Sequence, residues 1–313
     1  MDNSNPSKSN TQGFTVFDAQ QTYALLDIHQ LIEELKTAAQ QYRENQIISP
    51  ERVVLPRTEQ GVMLSMPATS EDLSIHKLVN VEPGNGQKGL PTIFGLVSVF
   101  DSQTGQPLCV LDGPTVTGVR TAAVSMTGID TFLPSAPEKI LLIGTGTQAL
   151  YHLKAIHQKY PQCQVKVRGS SLEKATDFCQ AYRHEHDKLT PCQPDEVPEN
   201  TDVVILLTTS KQAIYNEAAL TGRLIIGVGA FKPDMAEIGV ETLAGSTVYV
   251  DDPAGAREEA GDLIQADIDW SRVQGLISAL NEQPDLSKPI VFKTVGSAAW
   301  DLAAARTAQK LLP

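Results

Sequence analysis

The sequence predicts an α/β protein of two domains, one of them built on a doubly wound parallel sheet. From Lys139 onward, short apolar runs alternate with helical patterns, as parallel strands and their crossover helices do. Before Lys139, a helical segment precedes several β-like runs and a hairpin signal, which together indicate an α+β arrangement. A chain of 313 residues is too long for most single cores, so two domains are expected.

The first domain is expected to begin after a polar segment, residues 1–13, which is predicted to be a disordered tail rather than a signal peptide. Apolar residues at helical spacing predict a helix over 18–42. β-like runs follow at residues 52–55, 62–66, 76–81, 91–100 and 107–111, the last two flanking a loop with turn residues. From Thr117 the pattern becomes helical again and leads into a glycine-rich segment.

The second domain is predicted from continuous apolar runs, which are typical of strands buried on both faces. Such runs lie at residues 140–143, 165–167, 203–207, 224–228 and 248–250. Helical patterns cover 149–160 and 172–186. A further strand within 290–297 precedes an Ala-rich helix over 298–312.

The glycine-rich segment, ILLIGTGTQAL at residues 140–150, follows an apolar strand and opens a helix. A second strand ends at Val167, about 20 residues further on, as a Rossmann-type βαβ unit requires. The glycines allow the backbone to approach a pyrophosphate, whose charge is stabilised by the helix N-terminus. We therefore expect a dinucleotide site here, the alternative being a purely structural turn in another α/β protein.

The end of the second strand bears on which dinucleotide binds. The sequence Val167-Arg168-Gly169-Ser170-Ser171 has a cation and two hydroxyls where NAD-binding proteins carry an acid for the ribose. These groups suit a 2′-phosphate, so NADPH is favoured. If Arg168 stacks on adenine or faces solvent instead, NADH remains an alternative.

The charge balance narrows the range of partners. A net charge of −12 disfavours nucleic acid and anionic membranes, and no apolar run is long enough to span a bilayer, so a cytoplasmic protein is expected. The four cysteines lack metal-ligand spacing and are interpreted as reduced thiols.

Three cations, Arg52, Lys77 and Arg120, have apolar or glycine neighbours, which indicates inward-facing charges with anionic partners. Each alone fits a structural ion pair, but together they indicate a site for a carboxylate.

Several motifs resemble the ornithine cyclodeaminase/mu-crystallin family in order and spacing. They are KLVNVEPGN, GLPT, DGPTVTGVRTAA, LLIGTGTQA, GAFKPDMAE, VDD and VFKTVGSAAWDLAAA. The resemblance implies a dinucleotide domain, residues 129–291, inserted into a substrate-binding and dimerisation domain made of 14–128 and 292–313. It also implies a homodimer, for which the apolar β-runs of 91–111 would supply a surface.

The resemblance further implies roles for individual residues. Arg52, Lys77 and Arg120 match positions that hold the substrate carboxylate and polarise the reacting centre, and Lys77 is the candidate catalytic proton donor. Val295 and Gly296 match substrate-site positions. Cofactor positions, taken together with the end of the second strand, comprise Thr92, Arg120, Thr121, Gly144, Thr145, Gly146, Thr147, Gln148, Arg168, Ser170, Ser171, Thr208 and Thr294. No metal site is expected.

One position departs from the cyclodeaminase pattern. Those enzymes carry an Asp as general base two residues before the proline of GAFKPD, and this chain has Phe231 there, with Asp234 as a poorly placed substitute. The run VDDPAGAREEAGDLIQA is most similar to members that reduce cyclic ketimines. Within it, Glu258, Glu259 and Asp262 are interpreted as a solvated acidic helix face, a functional role being the alternative. The resemblance therefore implies an NAD(P)H-dependent reductase of Δ1-pyrroline-2-carboxylate and Δ1-piperideine-2-carboxylate. A cyclodeaminase, an amino-acid dehydrogenase and a non-catalytic NADPH-binding protein remain alternatives.

Overall fold

The computed structural model of the protein describes residues 13–59 and 61–312, so the predicted disordered tail, apart from Gly13, lies outside the described residues. Its first sheet has six strands in the spatial order β1-β6-β5-β4-β3-β2. They are β1 (Thr15–Val16), β2 (Val53–Pro56), β3 (Val62–Thr69), β4 (Leu73–Val81), β5 (Ile93–Asp101) and β6 (Pro107–Asp112). All neighbours pair antiparallel except β1 and β6, which are parallel.

Three helices accompany the first sheet: α1 (Ala19–Ala24), α2 (Ile28–Arg43) and α3 (Gly113–Phe132). The prediction of one helix over 18–42 is wrong, because the Asp27 side chain accepts a hydrogen bond from the Gln30 amide at 2.9 Å and caps a new helix. α3 begins at Gly113 rather than Thr117, since Asp112 caps it in the same way.

The second sheet has eight parallel strands in the order β13-β12-β14-β11-β10-β7-β8-β9. They are β7 (Lys139–Ile143), β8 (Gln164–Arg168), β9 (Leu189–Cys192), β10 (Val203–Leu206), β11 (Leu224–Gly227), β12 (Thr247–Val250), β13 (Gln274–Gly275) and β14 (Ile290–Lys293). The predicted α/β class with a doubly wound parallel sheet is confirmed. β9 and β13 were not predicted, because neither contains an apolar run.

The helices of this second part are α4 (Thr147–Lys159), α5 (Leu172–Tyr182), α6 (Val240–Ala244), α7 (Pro253–Glu259), α8 (Gly261–Gln265), α9 (Leu276–Glu282) and α10 (Ala298–Gln309). α10 follows β14 but packs against α2, β3 and β4, so the chain returns to the first sheet. The predicted domain boundary between residues 291 and 292 cuts β14, whose four residues all pair within the second sheet. The second sheet therefore ends at Lys293.

Two features position the functional site. Strand order reverses between β7 and β10, and ligands of doubly wound sheets bind outside the carboxyl ends of strands at such a point. α3 contacts β4 and β5 of the first sheet as well as α4 and β11 of the second part, so it lies between the two. Within the described part of the chain, no helix is long and apolar enough to cross a membrane.

Candidate active site

Lys77 and Arg120 share one buried carboxylate. Lys77 lies on the core-facing side of β4 with 2% exposure, a position at which an unpaired charge is strongly disfavoured. Its Nζ is 2.6 Å from Oδ2 of Asp301, in the first turn of α10, and Arg120 Nε is 3.2 Å from the other oxygen. Asp301 is fully buried. Two cations against one anion leave this group with a net positive charge.

The environment of Lys77 moves its titration toward the range in which enzymes operate. Burial lowers the pKa of Lys77 to about 8; Asp301 opposes this change, and the Arg120 and Arg52 guanidinium groups reinforce it. A group with a pKa near the working pH can both hold and release a proton, which general acid catalysis requires.

Arg52, the third cation, lies before β2 and has a different partner. Its Nε is 2.8 Å from Glu259 Oε1, at the end of α7, and its Nη2 donates to the Gly296 carbonyl at 2.8 Å. Each of the three cations thus has a carboxylate partner, as the sequence indicated. We call Arg52, Lys77 and Arg120 the cation cluster.

The loop of residues 294–297, directly after β14, joins the cation cluster to the carboxyl edge of the second sheet. Asp251 accepts hydrogen bonds from the Val295 and Gly296 amides, both at 2.9 Å. Gly296 has φ +82, and a Cβ there would lie 2.5 Å from Arg120 Nη1, so only glycine fits. Thr294 is tied to the sheet by its amide, which donates to the Gly227 carbonyl at 2.8 Å.

The predicted glycine turn also lies at this edge, between β7 and α4. Gly144 has φ +130, and a Cβ there would meet the Leu207 carbonyl at 2.7 Å, whereas the space beside Gly146 is open. Gly146 is the N-cap of α4 and offers no side-chain acceptor to the first amides of the helix. The Gln148 Oε1 atom is buried with no hydrogen-bond partner among the described residues. That oxygen is an acceptor, whereas the uncapped backbone amides at the start of α4 are unused donors, which suit an anion such as a pyrophosphate.

The structure places Arg168 differently from the expectation. Its guanidinium is buried, with Nη2 donating to the Ile214 carbonyl at 2.5 Å, and burial lowers its pKa. The prediction that Arg168 faces a 2′-phosphate requires an outward-facing side chain, which this arrangement does not provide. Ser171 caps α5 by accepting from the Lys174 amide at 3.2 Å, and Ser170 is exposed. Of the three polar groups, Ser170 is the one that solvent reaches freely.

Thr208, after β10, belongs to a buried network that sequence reasoning missed. Glu237 accepts from the Thr208 amide at 2.6 Å and hydroxyl at 2.9 Å, and its other oxygen accepts from the Gly229 and Ala230 amides at 2.6 and 3.1 Å. Burial raises the pKa of Glu237. One carboxylate therefore holds together the loops that follow β10 and β11.

Asp262 and Lys293 complete this network and correct a prediction. Asp262 Oδ2 is 2.9 Å from Lys293 Nζ, and both side chains are fully buried, while its Oδ1 accepts from the Ile238 amide at 2.8 Å. Glu259 is half-buried on Arg52, and only Glu258 is exposed. The interpretation of all three acids as a solvated helix face is thus wrong for Asp262 and Glu259, because each has a cation to pair with in the folded chain.

Two other predicted cofactor residues, Thr121 and Thr92, differ in burial. Thr121 is buried in α3, directly after Arg120. Thr92 is exposed in the turn before β5, and its carbonyl accepts from the Glu82 amide at 2.8 Å. No hydrogen bond within the described residues joins the Thr92 side chain to the cation cluster or to the glycine turn.

Comparison with known proteins agrees with the fold and with the motifs. The model of the ornithine cyclodeaminase/mu-crystallin family matches residues 15–310. The chain belongs to this family. It is 52% identical over 297 residues to the Δ1-pyrroline-2-carboxylate/Δ1-piperideine-2-carboxylate reductase of Azospirillum brasilense, covering 95% of this chain and 96% of the relative. A Δ1-pyrroline-2-carboxylate reductase of Burkholderia ambifaria is also 52% identical, over 95% of both chains.

A solved structure extends the comparison to three dimensions. The Thermococcus litoralis Δ1-pyrroline-2-carboxylate reductase, in complex with NADH and L-proline, superposes with a TM-score of 0.85 at 23% identity. The match covers 94% of this chain and 96% of that one. At this level of identity the likeness shows that the fold is shared along almost the whole chain.

Phe231 lies on the loop after β11, in which the Gly229 and Ala230 amides donate to Glu237. It is half-buried, and Asp234, the nearest carboxylate along the chain, is exposed and pairs with Lys211 at 2.7 Å. The Lys211 side chain lowers the pKa of Asp234, so this carboxylate is a weak base. Neither residue supplies a proton acceptor equivalent to the Asp that the resemblance implies for cyclodeaminases.

Proposed function

We propose that the protein is an NAD(P)H-dependent reductase of the C=N bond of cyclic ketimines. It would convert Δ1-pyrroline-2-carboxylate to L-proline and Δ1-piperideine-2-carboxylate to L-pipecolate. The observation that carries the proposal is the cation cluster at the carboxyl edge of a dinucleotide-type sheet. The 52% identity to reductases named for these two substrates supports the same substrate class.

The dinucleotide is proposed to bind at the glycine turn. The backbone of residues 144–148 and the uncapped start of α4 would hold the pyrophosphate, with Thr208, Thr294 and the Arg120–Thr121 turn of α3 toward the nicotinamide. When bound, the reduced nicotinamide supplies the hydride. Solved relatives with NADH or NAD⁺ support a nicotinamide dinucleotide. The choice of NADPH over NADH is the finer proposal, and it is supported by exposed Ser170 at the strand end where NAD-binding proteins carry an acid.

The substrate is proposed to bind against the cation cluster. Arg52 and Arg120, next to Val295 and Gly296, would hold the carboxylate and thereby fix C2 of the ring, because positioning supplies much of an enzyme's rate. Lys77 would hold a proton on Nζ and supply it to the ring nitrogen after hydride has reached C2 of the iminium and left a free amine, for which a pKa of about 8 is well suited. Asp301 would keep Lys77 and Arg120 in place as a positioning residue.

A homodimer is part of the proposal. The edge strand β2 exposes Val53, Val54 and Leu55, and β5 exposes Phe94 and Leu96, each by between 39% and 53%. An exposed apolar edge strand needs a covering surface to avoid unspecific association. A second copy of the chain would cover it.

Spectrophotometry of the nicotinamide tests this proposal directly. Wild type should oxidise NADPH when given either cyclic imine and should not reduce NADP⁺ when given alanine or ornithine. Lys77→Ala should lower turnover by about 10²-fold or more, the range of general acid catalysis, while NADPH still binds. Lys211→Ala, which removes an exposed lysine that also pairs with an Asp, is the matched control and should keep full activity. Oxidation of ornithine at a comparable rate would contradict the proposal.

A further inference from the structure

Arg52 is bound on one edge and open on the other. Glu259 occupies its Nε, and Nη2 donates to the Gly296 carbonyl at 2.8 Å and to the Val295 carbonyl at 3.4 Å, while Nη1 donates to no group within residues 13–59 and 61–312. A guanidinium carries five N–H donors, so a ligand carboxylate can bind the two hydrogens of Nη1 while Glu259 stays on Nε. The ligand carboxylate and the Glu259 carboxylate would then both bind the Arg52 guanidinium.

The surroundings of Glu259 contain more negative than positive charge. Arg52, which contacts it, and Glu51 lie in the segment before β2, and Asp251 and Asp252 lie in the segment after β12; these are the charged groups that act most strongly on it. Burial is the main cause that raises the pKa of Glu259 to about 7; Arg52 opposes the rise, and the three acids add to it. Its Oε2 is buried with no hydrogen-bond partner among the described residues.

We propose that Glu259 is a specificity-determining residue, which makes the site prefer ring carboxylates that carry a cationic nitrogen over ring carboxylates that carry none. The inference rests on the proposed function in one respect, that Arg52 holds the substrate carboxylate. The charge of Glu259 repels any arriving carboxylate, and a positive ring nitrogen offsets that repulsion. The substrate class is therefore the zwitterionic iminium carboxylate. Uncharged-ring acids and 2-oxo acids, which bring only negative charge, are disfavoured.

A matched pair of ligands isolates this effect. L-Proline and cyclopentanecarboxylate have the same ring size and carboxylate, and only proline has a cationic nitrogen. Their dissociation constants are measured by calorimetry on the NADPH-loaded protein, for wild type, Glu259→Gln and Glu258→Gln. Gln keeps the acceptor for Arg52 Nε without the charge, and Glu258, exposed on the same helix, is the control. We expect the preference for proline to fall about tenfold in Glu259→Gln, as charges a few ångströms apart would give, and to stay unchanged in Glu258→Gln.

The pH dependence provides a second readout. Neither ligand titrates between about pH 6 and 8. In wild type the preference for proline should fall as the pH decreases through about 7, because Glu259 gains a proton, and in Glu259→Gln this change near pH 7 should be missing. Lys77, which is proposed to face the ring nitrogen, titrates near pH 8 and acts on the ratio in both proteins, so the change near pH 7 is taken from the difference between wild type and Glu259→Gln.

Three results would overturn the inference: an equal loss of affinity for both ligands in Glu259→Gln, a preference that changes with pH in the same way in wild type and Glu259→Gln, or wild type that does not prefer proline. An equal loss would mean that Glu259 only orients Arg52. These results are separate from the fate of the proposed function, which is decided by imine-dependent oxidation of NADPH in wild type.

Discussion

Asp301→Asn should shift the pH dependence of imine reduction to lower pH. Asp301 Oδ2 lies 2.6 Å from Lys77 Nζ, and its charge raises the pKa of that lysine against the effect of burial. Removing the charge leaves Lys77 and Arg120 facing each other without a shared anion, so the pKa of Lys77 must fall below about 8.

The magnitude follows from the distance. At 2.6 Å and an effective dielectric constant of about 20, the attraction between the two charges is about 6 kcal/mol. The asparagine oxygen and local rearrangement recover part of this, so we expect a fall in the pKa of at least about one unit, equivalent to about 1.4 kcal/mol. Because breaking a buried pair from one side costs roughly 3–5 kcal/mol of stability, the variant should also melt at a lower temperature.

The assay is kcat/KM for Δ1-pyrroline-2-carboxylate as a function of pH, at a temperature at which circular dichroism shows the variant to be folded. If protonated Lys77 donates the proton, activity is present below its pKa and is lost as the pH rises through it. The imine titrates identically with both proteins, so the difference between the two profiles belongs to the enzyme. Asp130→Asn, which breaks a partly exposed pair with Lys159, is the control and should leave the profile unchanged. A folded Asp301→Asn protein that loses activity near pH 8, as wild type does, would refute the role given to Lys77.

Three further predictions concern the cofactor, the reaction and the assembly. Ser170→Asp should shift the preference from NADPH toward NADH, because a carboxylate repels a 2′-phosphate and accepts hydrogen bonds from the ribose hydroxyls. If the ratio of kcat/KM for NADPH to kcat/KM for NADH is unchanged, residues other than Ser170 bind the 2′ position. Wild type incubated with ornithine and NADP⁺ should release almost no ammonia, since Phe231 cannot accept a proton, and ammonia formed at the rate of imine reduction would favour a cyclodeaminase. Light scattering at micromolar concentration should give a dimer, and Phe94→Asp should weaken it by placing a charge on the exposed face of β5; a wild-type monomer would contradict the proposed assembly.

The parallel sheet could be predicted because its strands are buried on both faces. β10, with every residue of Val203–Leu206 fully buried, reads as an unbroken apolar run, and the same holds for most of its neighbours. The helices α6 to α8 were missed because five to seven residues are too few to show a helical period. Likewise, one continuous apolar pattern concealed the break between α1 and α2, which depends on the capping side chain of Asp27.

Some charged residues of the site could be predicted from the sequence, and others could not, because their partners are brought to them only by the fold. A cation among apolar neighbours, such as Lys77 in β4, is visible in the sequence because its own strand must be buried. Its partner is not visible in this way, since Asp301 lies more than two hundred residues along the chain and only the packing of α10 on β4 joins them. Asp301 did leave a signal, as a lone acid in an Ala-rich helix, and that signal should be weighed as heavily as a buried lysine.

The burial of the acidic residues after β12 could not be predicted from the sequence. Glu258, Glu259 and Asp262 lie within five residues, and their density alone suggests a solvated surface. In the structure α7 ends at Glu259 and α8 begins at Gly261, so the change of direction at Ala260 turns Glu259 toward Arg52 and Asp262 toward Lys293. Both partners come from distant parts of the chain, and both belong to the edge at which substrate and cofactor are proposed to bind. Acidic residues in an acidic protein can therefore be buried in ion pairs, as buried cations are, when the fold brings an opposite charge to them.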